Sequence, residues 1–173
     1  VSPAADLGLG GGIPEGSWVG LSGAPKSGKT TLALHIAAKA QREEFGARST
    51  FLFDIEHRIK DMHLTGIKGL KLAKDGNDTS GLRVIRSKIG NIIGAEEFLT
   101  AATHIIKDNP GCVVIIDSTS ALCSATELTS DISGQSRSLG PKILASFCRQ
   151  MGPVVPINNC IVISIQHLIA NTS

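Results

Sequence analysis

Gly23-Ala24-Pro25-Lys26-Ser27-Gly28-Lys29-Thr30 sets two glycines, a lysine and a hydroxyl side chain in the register GxxxxGK[ST]. Glycine allows main-chain N–H groups to turn inward around phosphate oxygens in conformations that other residues resist. Lys29 supplies a cation on a flexible stem for the β- and γ-phosphates, and the Thr30 hydroxyl is a hard oxygen ligand suited to Mg²⁺. The plain alternative is an ordinary glycine turn. Context argues against it, because the motif needs a strand before it and a helix after it. The apolar run Trp18–Leu21 and the helical pattern Lys29–Gln41 meet both needs. The start of that helix adds partial positive charge next to the loop.

Three further apolar runs end in polar groups. Cys112-Val113-Val114-Ile115-Ile116-Asp117 closes on a carboxylate of the kind that holds a Mg²⁺ shell. Such runs are common, and a turn-capping role for Asp117 is the plain alternative. Phe51-Leu52-Phe53-Asp54-Ile55-Glu56-His57 carries two acids. In a parallel sheet the strand C-termini converge on the ligand side, so Glu56 could polarise a water for attack on a γ-phosphate, with Asp54 as a rival. Ile161–Ile165 leads into Gln166 and His167, either of which could hydrogen-bond a terminal phosphate and report its loss. His35 and His104 lie on helical stretches and receive no role.

These groups need a scaffold, and the sequence supplies one. Trp18–Leu21, Thr50–Asp54, Leu82–Ile85, Cys112–Asp117 and Cys160–Ile165 mostly lack polar alternation, as strands covered on both faces do. Between them lie three amphipathic helix patterns. Lys29–Gln41 spaces Leu32, Ile36 and Ala40 four apart with Ala33 and Ala37 alongside. Ala95–Lys107 carries Phe98, Leu99, Ala102, Ile105 and Ile106. Pro141–Met151 carries Ile143, Leu144, Phe147, Cys148 and Met151. Strand and helix in alternation predict βαβ units, and hence an α/β fold with a mostly parallel central sheet and helices on both faces. Gly66–Gly81 reads as a loop or small excursion, and Ala125–Leu139 as a mobile polar loop.

Composition bounds the rest. The 173 residues predict one domain, and 42% hydrophobic residues suffice for a core. A net charge of +2 excludes a polybasic or highly charged disordered chain. No apolar stretch reaches the roughly 18 residues of a membrane helix, and no signal peptide is visible. The four cysteines form no CxxC pair, and Cys112 and Cys160 read as buried apolar residues in a reducing cytosol. The chain starts at Val1 and stops after an apolar strand, so it is expected to be the core of a longer protein.

In this order, and over nearly the whole chain, the motifs resemble those of the RecA/Rad51 family of recombination ATPases. Gly11-Gly12-Ile13-Pro14-Glu15-Gly16 is similar to the family's GGhPxG turn ahead of the first core strand. Gly23–Thr31 is similar to its phosphate loop, Phe53–His57 to the strand delivering its catalytic glutamate, and Ile115–Ser118 to its second Mg²⁺ motif. Gln166-His167 falls where the family carries a polar sensor pair. Pro153 and His167 resemble phage UvsX-type recombinases more than bacterial ones.

The resemblance implies a RecA-like P-loop NTPase with ATP and Mg²⁺ as cofactors. Gly23, Ala24, Pro25, Lys26, Ser27, Gly28, Lys29, Thr30 and Thr31 bind nucleotide, with His63 where the family often sets a tyrosine against adenine. Thr30 and Asp117 hold the metal. Glu56 is the general base, Lys29 offsets developing charge, and His167 or Gln166 senses the γ-phosphate. Ala125–Leu139 corresponds to a first DNA loop, with Arg137 its basic residue, and a second DNA loop begins near Leu168–Ser173. The implied partners are single-stranded and double-stranded DNA and further copies of the chain, in a helical filament or a ring. No membrane is involved, and the expected place is the cytoplasm, a host's if the chain is phage-encoded. A hexameric RecA-fold helicase shares the same acids and is distinguished by ring assembly and unwinding. A non-hydrolysing ATP-binding regulator is distinguished by indifference to Glu56→Gln. A small-molecule kinase would need an arginine-bearing lid, and Ala125–Leu139 offers one arginine.

Overall fold

The computed structural model describes residues 3–88, 90–129 and 139–168. Among the described residues five strands form one sheet: β1 (Trp18–Gly23), β2 (Thr50–Asp54), β3 (Leu82–Ile85), β4 (Val113–Asp117) and β5 (Ile161–His167). Every pairing is parallel and the order is β1-β5-β4-β2-β3. The chain leaves β1, crosses to the far side of the sheet, and returns to insert β5 beside β1. The C-terminal ends of β1, β5, β4 and β2 are thereby brought side by side, as ligand binding in an open parallel sheet requires.

The helices are α1 (Pro3–Gly8), α2 (Lys29–Ala40), α3 (Asp61–Thr65), α4 (Ala95–Asp108), α5 (Ala125–Thr129), α6 (Leu139–Met151) and α7 (Val154–Ile157). Strand side chains alternate between faces. Val113 and Ile115 pack with α2, whereas Val114 and Ile116 pack with α4 and α6. All four are essentially inaccessible to water, each contributing on the order of 1.5–3 kcal/mol by burial.

The expected stripe on α2 is only partly right. Leu32 is 38% exposed, while Ala33, Leu34, Ile36, Ala37, Ala38 and Ala40 are buried. The small alanines let α2 lie close over β1, β5 and β4 and bury a wider face than a narrow seam. α6 starts at Leu139 rather than Pro141, with the proline inside the first turn, where its missing N–H is tolerated. Gly140 is needed there because a Cβ would stand 2.4 Å from the Leu122 carbonyl oxygen. Phe147 and Met151 are buried as expected, but Cys148 is exposed. Cys112 and Cys160 are both buried, free thiols directly ahead of the neighbouring strands β4 and β5, with sulfurs 3.6 Å apart.

Gly66–Gly81 is a loop tied to the sheet. Buried Gln41 donates from Nε2 to Thr50 Oγ1 at 2.8 Å and to Lys71 O at 3.0 Å, and its Oε1 accepts the Lys71 N–H at 2.8 Å. The expectation of a loop throughout Ala125–Leu139 is corrected at its start, where Ala125–Thr129 is helical. Ser124 and Glu127 cap α5 reciprocally: the Ser124 N–H donates to Glu127 Oε2 at 2.8 Å and the Glu127 N–H to Ser124 Oγ at 3.2 Å. Arg137 lies outside the described residues. The Gly11–Gly16 turn is structural: Glu15 pairs with Arg48, which also donates to the Gly111 and Asn159 carbonyls.

Candidate nucleotide site

The loop between β1 and α2 folds around its own lysine. Gly28 takes φ 87 at the N-cap of α2, a left-handed conformation that suits glycine. Lys29 is buried and its Nζ donates to the Gly23 and Ala24 carbonyls at 2.9 and 2.8 Å. Thr31 is exposed in the first turn of α2. A cleft of about 500 Å³ opens beside the loop, walled by Lys26–Thr31 on one side and by Asp54, Glu56, Asp117 and His167 on the other. His63, exposed on α3, lines the same cleft. Its Nδ1 accepts the Lys60 N–H at 3.2 Å. A second cleft, of about 510 Å³, lies at the opposite ends of the strands, between Ile13, Ile36, Phe45 and Ile161, away from these groups.

Strand alternation decides which polar groups enter the site. Asp117 shares the parity of Val113 and Ile115, Asp54 that of Leu52, and His167 that of Ile163 and Ile165, all of which face α2. Gln166 has the opposite parity. It is exposed and accepts from Ser22 Oγ at 3.2 Å beside β1, so it does not join the cleft.

Thr30 Oγ1 donates to Asp117 Oδ2 at 2.7 Å. Burial pushes the Asp117 carboxyl above the usual aspartate range; the Thr30 hydroxyl opposes this, and the Glu56 and Asp54 carboxylates add to it. Asp54 is 1% exposed, and among the described residues its Oδ2 has no hydrogen-bond partner, with Arg86 Nε 3.7 Å away. Glu56 Oε1 accepts from Ser118 Oγ at 2.5 Å and lies 3.1 Å from His167 Nε2, and Oε2 meets Arg58 Nη1 at 2.9 Å.

The chemistry of this donor set fits Mg²⁺ with a polyphosphate. A buried carboxylate of raised pKa beside a hydroxyl is relieved by a hard cation. Among the described residues no cluster of three or more His, Cys, Asp or Glu side chains could hold a metal alone. A magnesium ion here would therefore depend on phosphate oxygens as well.

Two residues that hold Glu56, Ser118 and Arg58, are given no site role by the sequence. Ser118 directly follows Asp117, and its adjacency to a strand-end acid was the available signal. Arg58 lies two residues after Glu56 and matches no motif.

A parallel sheet of this order, with a glycine-rich loop between β1 and α2, defines a P-loop α/β protein with a RecA-like fold. The chain belongs to the RecA family: the model of the RecA N-terminal domain matches residues 2–171. It is similar to Protein RecA of Clostridium botulinum (strain Eklund 17B / Type B), 31% identical over 164 residues, which is 94% of this chain and 42% of that protein. Protein RecA of Ehrlichia ruminantium (strain Gardel) is 32% identical over 168 residues, 96% of this chain and 43% of that protein. Protein RecA of Mesoplasma florum is 33% identical over 158 residues, 91% of this chain and 43% of that protein. The chain thus spans about two fifths of the length of these bacterial relatives. The likeness to phage UvsX-type recombinases rests on Pro153 and His167 alone. Among the described residues no helix is long and apolar enough to cross a membrane.

Proposed function

We propose that this chain is the ATP-binding and ATP-hydrolysing core of a cytoplasmic DNA recombinase. In this reading, Mg²⁺-ATP between the loop and the strand ends controls a homo-oligomeric filament on single-stranded DNA, and homologous double-stranded DNA is tested there by base pairing. The observation that supports the ATPase part best is Glu56, a carboxylate held by Ser118 and His167 in the same cleft as Lys29 and Thr30. The DNA and filament parts rest on family membership, as does the assignment of Arg137 to DNA.

Phosphoryl transfer to water spreads charge over oxygens in a loose transition state, so catalysis is largely positioning and electrostatics. Lys29 Nζ exchanges the Gly23 and Ala24 carbonyls for phosphate oxygens. Main-chain N–H groups of the loop and of the first turn of α2 would take up the remaining phosphate charge. Thr30 and Asp117 would hold Mg²⁺, which when bound would offset charge on the phosphates. Glu56 orients the attacking water and receives its proton. His167 fixes Glu56 and so links the state of the cleft to the end of β5. His63 stands against the base, and Gln166, turned towards Ser22, has no part in the cleft.

The test is ATP binding and turnover by the intact protein and its Glu56→Gln variant. An enzyme traps unhydrolysed ATP in the variant, while a passive binder changes little.

A further inference from the structure

Arg58 stands in the same cleft as Lys29, Thr30 and Glu56. Its side chain is 77% exposed, whereas that of the Glu56 it pairs with is 13% exposed. Glu56 therefore has both oxygens engaged, Oε1 by Ser118 and His167 and Oε2 by Arg58. The guanidinium covers one approach to Oε2.

We propose that Arg58 is a latch on Glu56 that the γ-phosphate of ATP releases, by drawing the guanidinium from Oε2 onto its own oxygens. The inference rests on the ATPase reading above and adds a residue that no motif supplied. Three features support it. The ion pair is largely solvent-exposed on the arginine side, so exchanging its partner costs little. A planar guanidinium fork matches phosphate oxygens in pairs, and the terminal phosphate carries more charge than the carboxylate it replaces. Departure of Arg58 does not set Glu56 loose, because Ser118 and His167 keep Oε1 and leave Oε2 aimed. Asp54 Oδ1 accepts the Arg58 N–H at 3.2 Å, so the main chain stays pinned while the side chain moves. The base is thus freed when a bond to cleave has arrived, and stays covered with a diphosphate.

Arg58 is a positioning residue in this account, and its signature is discrimination between nucleotides. The experiment measures Mg²⁺-dependent binding of ADP and of the β,γ-imido analogue of ATP to the intact protein, as wild type, Arg58→Ala, Arg58→Lys and Lys29→Ala. Arg58→Ala is expected to weaken the analogue about five- to tenfold and leave ADP affinity in place, with Arg58→Lys recovering part of the loss. A purely structural role would lower both affinities and the melting temperature together, and that result overturns the latch. An unchanged ratio of ADP to analogue affinity in Arg58→Ala also overturns it, while leaving the ATPase reading intact. If wild type binds neither nucleotide better than Lys29→Ala does, both proposals fall.

Discussion

Thr30 and Asp117 are 87 residues apart in sequence and meet through a 2.7 Å hydrogen bond across the cleft. One is the last residue of the phosphate-loop motif and the other the last residue of β4. Insertion of β5 between β1 and β4 sets their distance, because α2 must then run beneath β5 for its first turn to reach the end of β4. The hydroxyl and the carboxylate hold in place the two oxygen ligands that the proposed Mg²⁺ needs.

Asp117 is poised at a cost to the fold. Its native pKa is raised, chiefly by burial, so ionising it costs more in the folded than in the unfolded chain and its charge destabilises the nucleotide-free protein. The penalty is fully present above the raised native pKa and disappears as pH falls below the unfolded value, roughly 4. Asp117→Asn is expected to raise the melting temperature of the nucleotide-free protein at neutral pH, with the gain fading in acid. The same variant should lose the Mg²⁺-dependent part of ATP binding. Calorimetric scans across pH check the first outcome and titrations with and without Mg²⁺ the second; a variant destabilised at neutral pH contradicts the account.

Lys29→Ala removes the cation around which the loop is folded. Turnover should fall by about 10²–10³-fold, the scale of losing one preorganised electrostatic contact to a transferring group. ATP-dependent protection of the loop from proteolysis should vanish with it. Unchanged turnover would remove the phosphate assignment.

His167 carries the link from Glu56 to the last strand. Its replacement by Ala leaves Ser118 as the donor to Oε1, so the carboxylate wanders. Hydrolysis is expected to drop between about tenfold and a hundredfold, with ATP affinity nearly constant. His167→Gln, which keeps a donor at that position, should lose less. Equal effects of both on affinity and rate would mean that His167 only packs.

Much of this arrangement was legible in the residues. β2 and β3 have the boundaries their apolar runs predict, and β4 differs by one residue, because Val- and Ile-rich runs bounded by turn residues leave little choice. The choice of His167 over Gln166 needed the register of β5 against β1 and β4, since a period of 2 says that they differ in side but not which side meets Glu56. α3 and α5 were missed because they are five residues each, too short for periodicity, although the Ser124–Glu127 capping pair was readable. Leu32 was assigned to the core and Leu34 was not, because the breadth of the buried face on α2 depends on how closely its alanines let it approach three strands. Arg58 could not be seen in advance: its importance comes from where Glu56 points.

Gln41 tests the packing part of the account. Its amide satisfies Thr50 Oγ1 and both main-chain groups of Lys71 in a buried setting. Gln41→Leu takes this partner from Thr50 Oγ1 and the Lys71 N–H, while the Lys71 carbonyl keeps the Leu82 N–H, and should cost about 1–3 kcal/mol, read as a lower urea midpoint at unchanged slope. A loss below about 0.5 kcal/mol, the range of an ordinary surface change, would mean that the Gly66–Gly81 loop is held by other contacts.

The central claim, that Glu56 activates water against ATP held by Lys29 and Thr30, is tested most directly by rapid-quench single-turnover measurement on Glu56→Gln in the intact protein. The account predicts ATP bound with near wild-type affinity and cleaved at least about a hundredfold more slowly. Cleavage at the wild-type rate with ATP bound would contradict it.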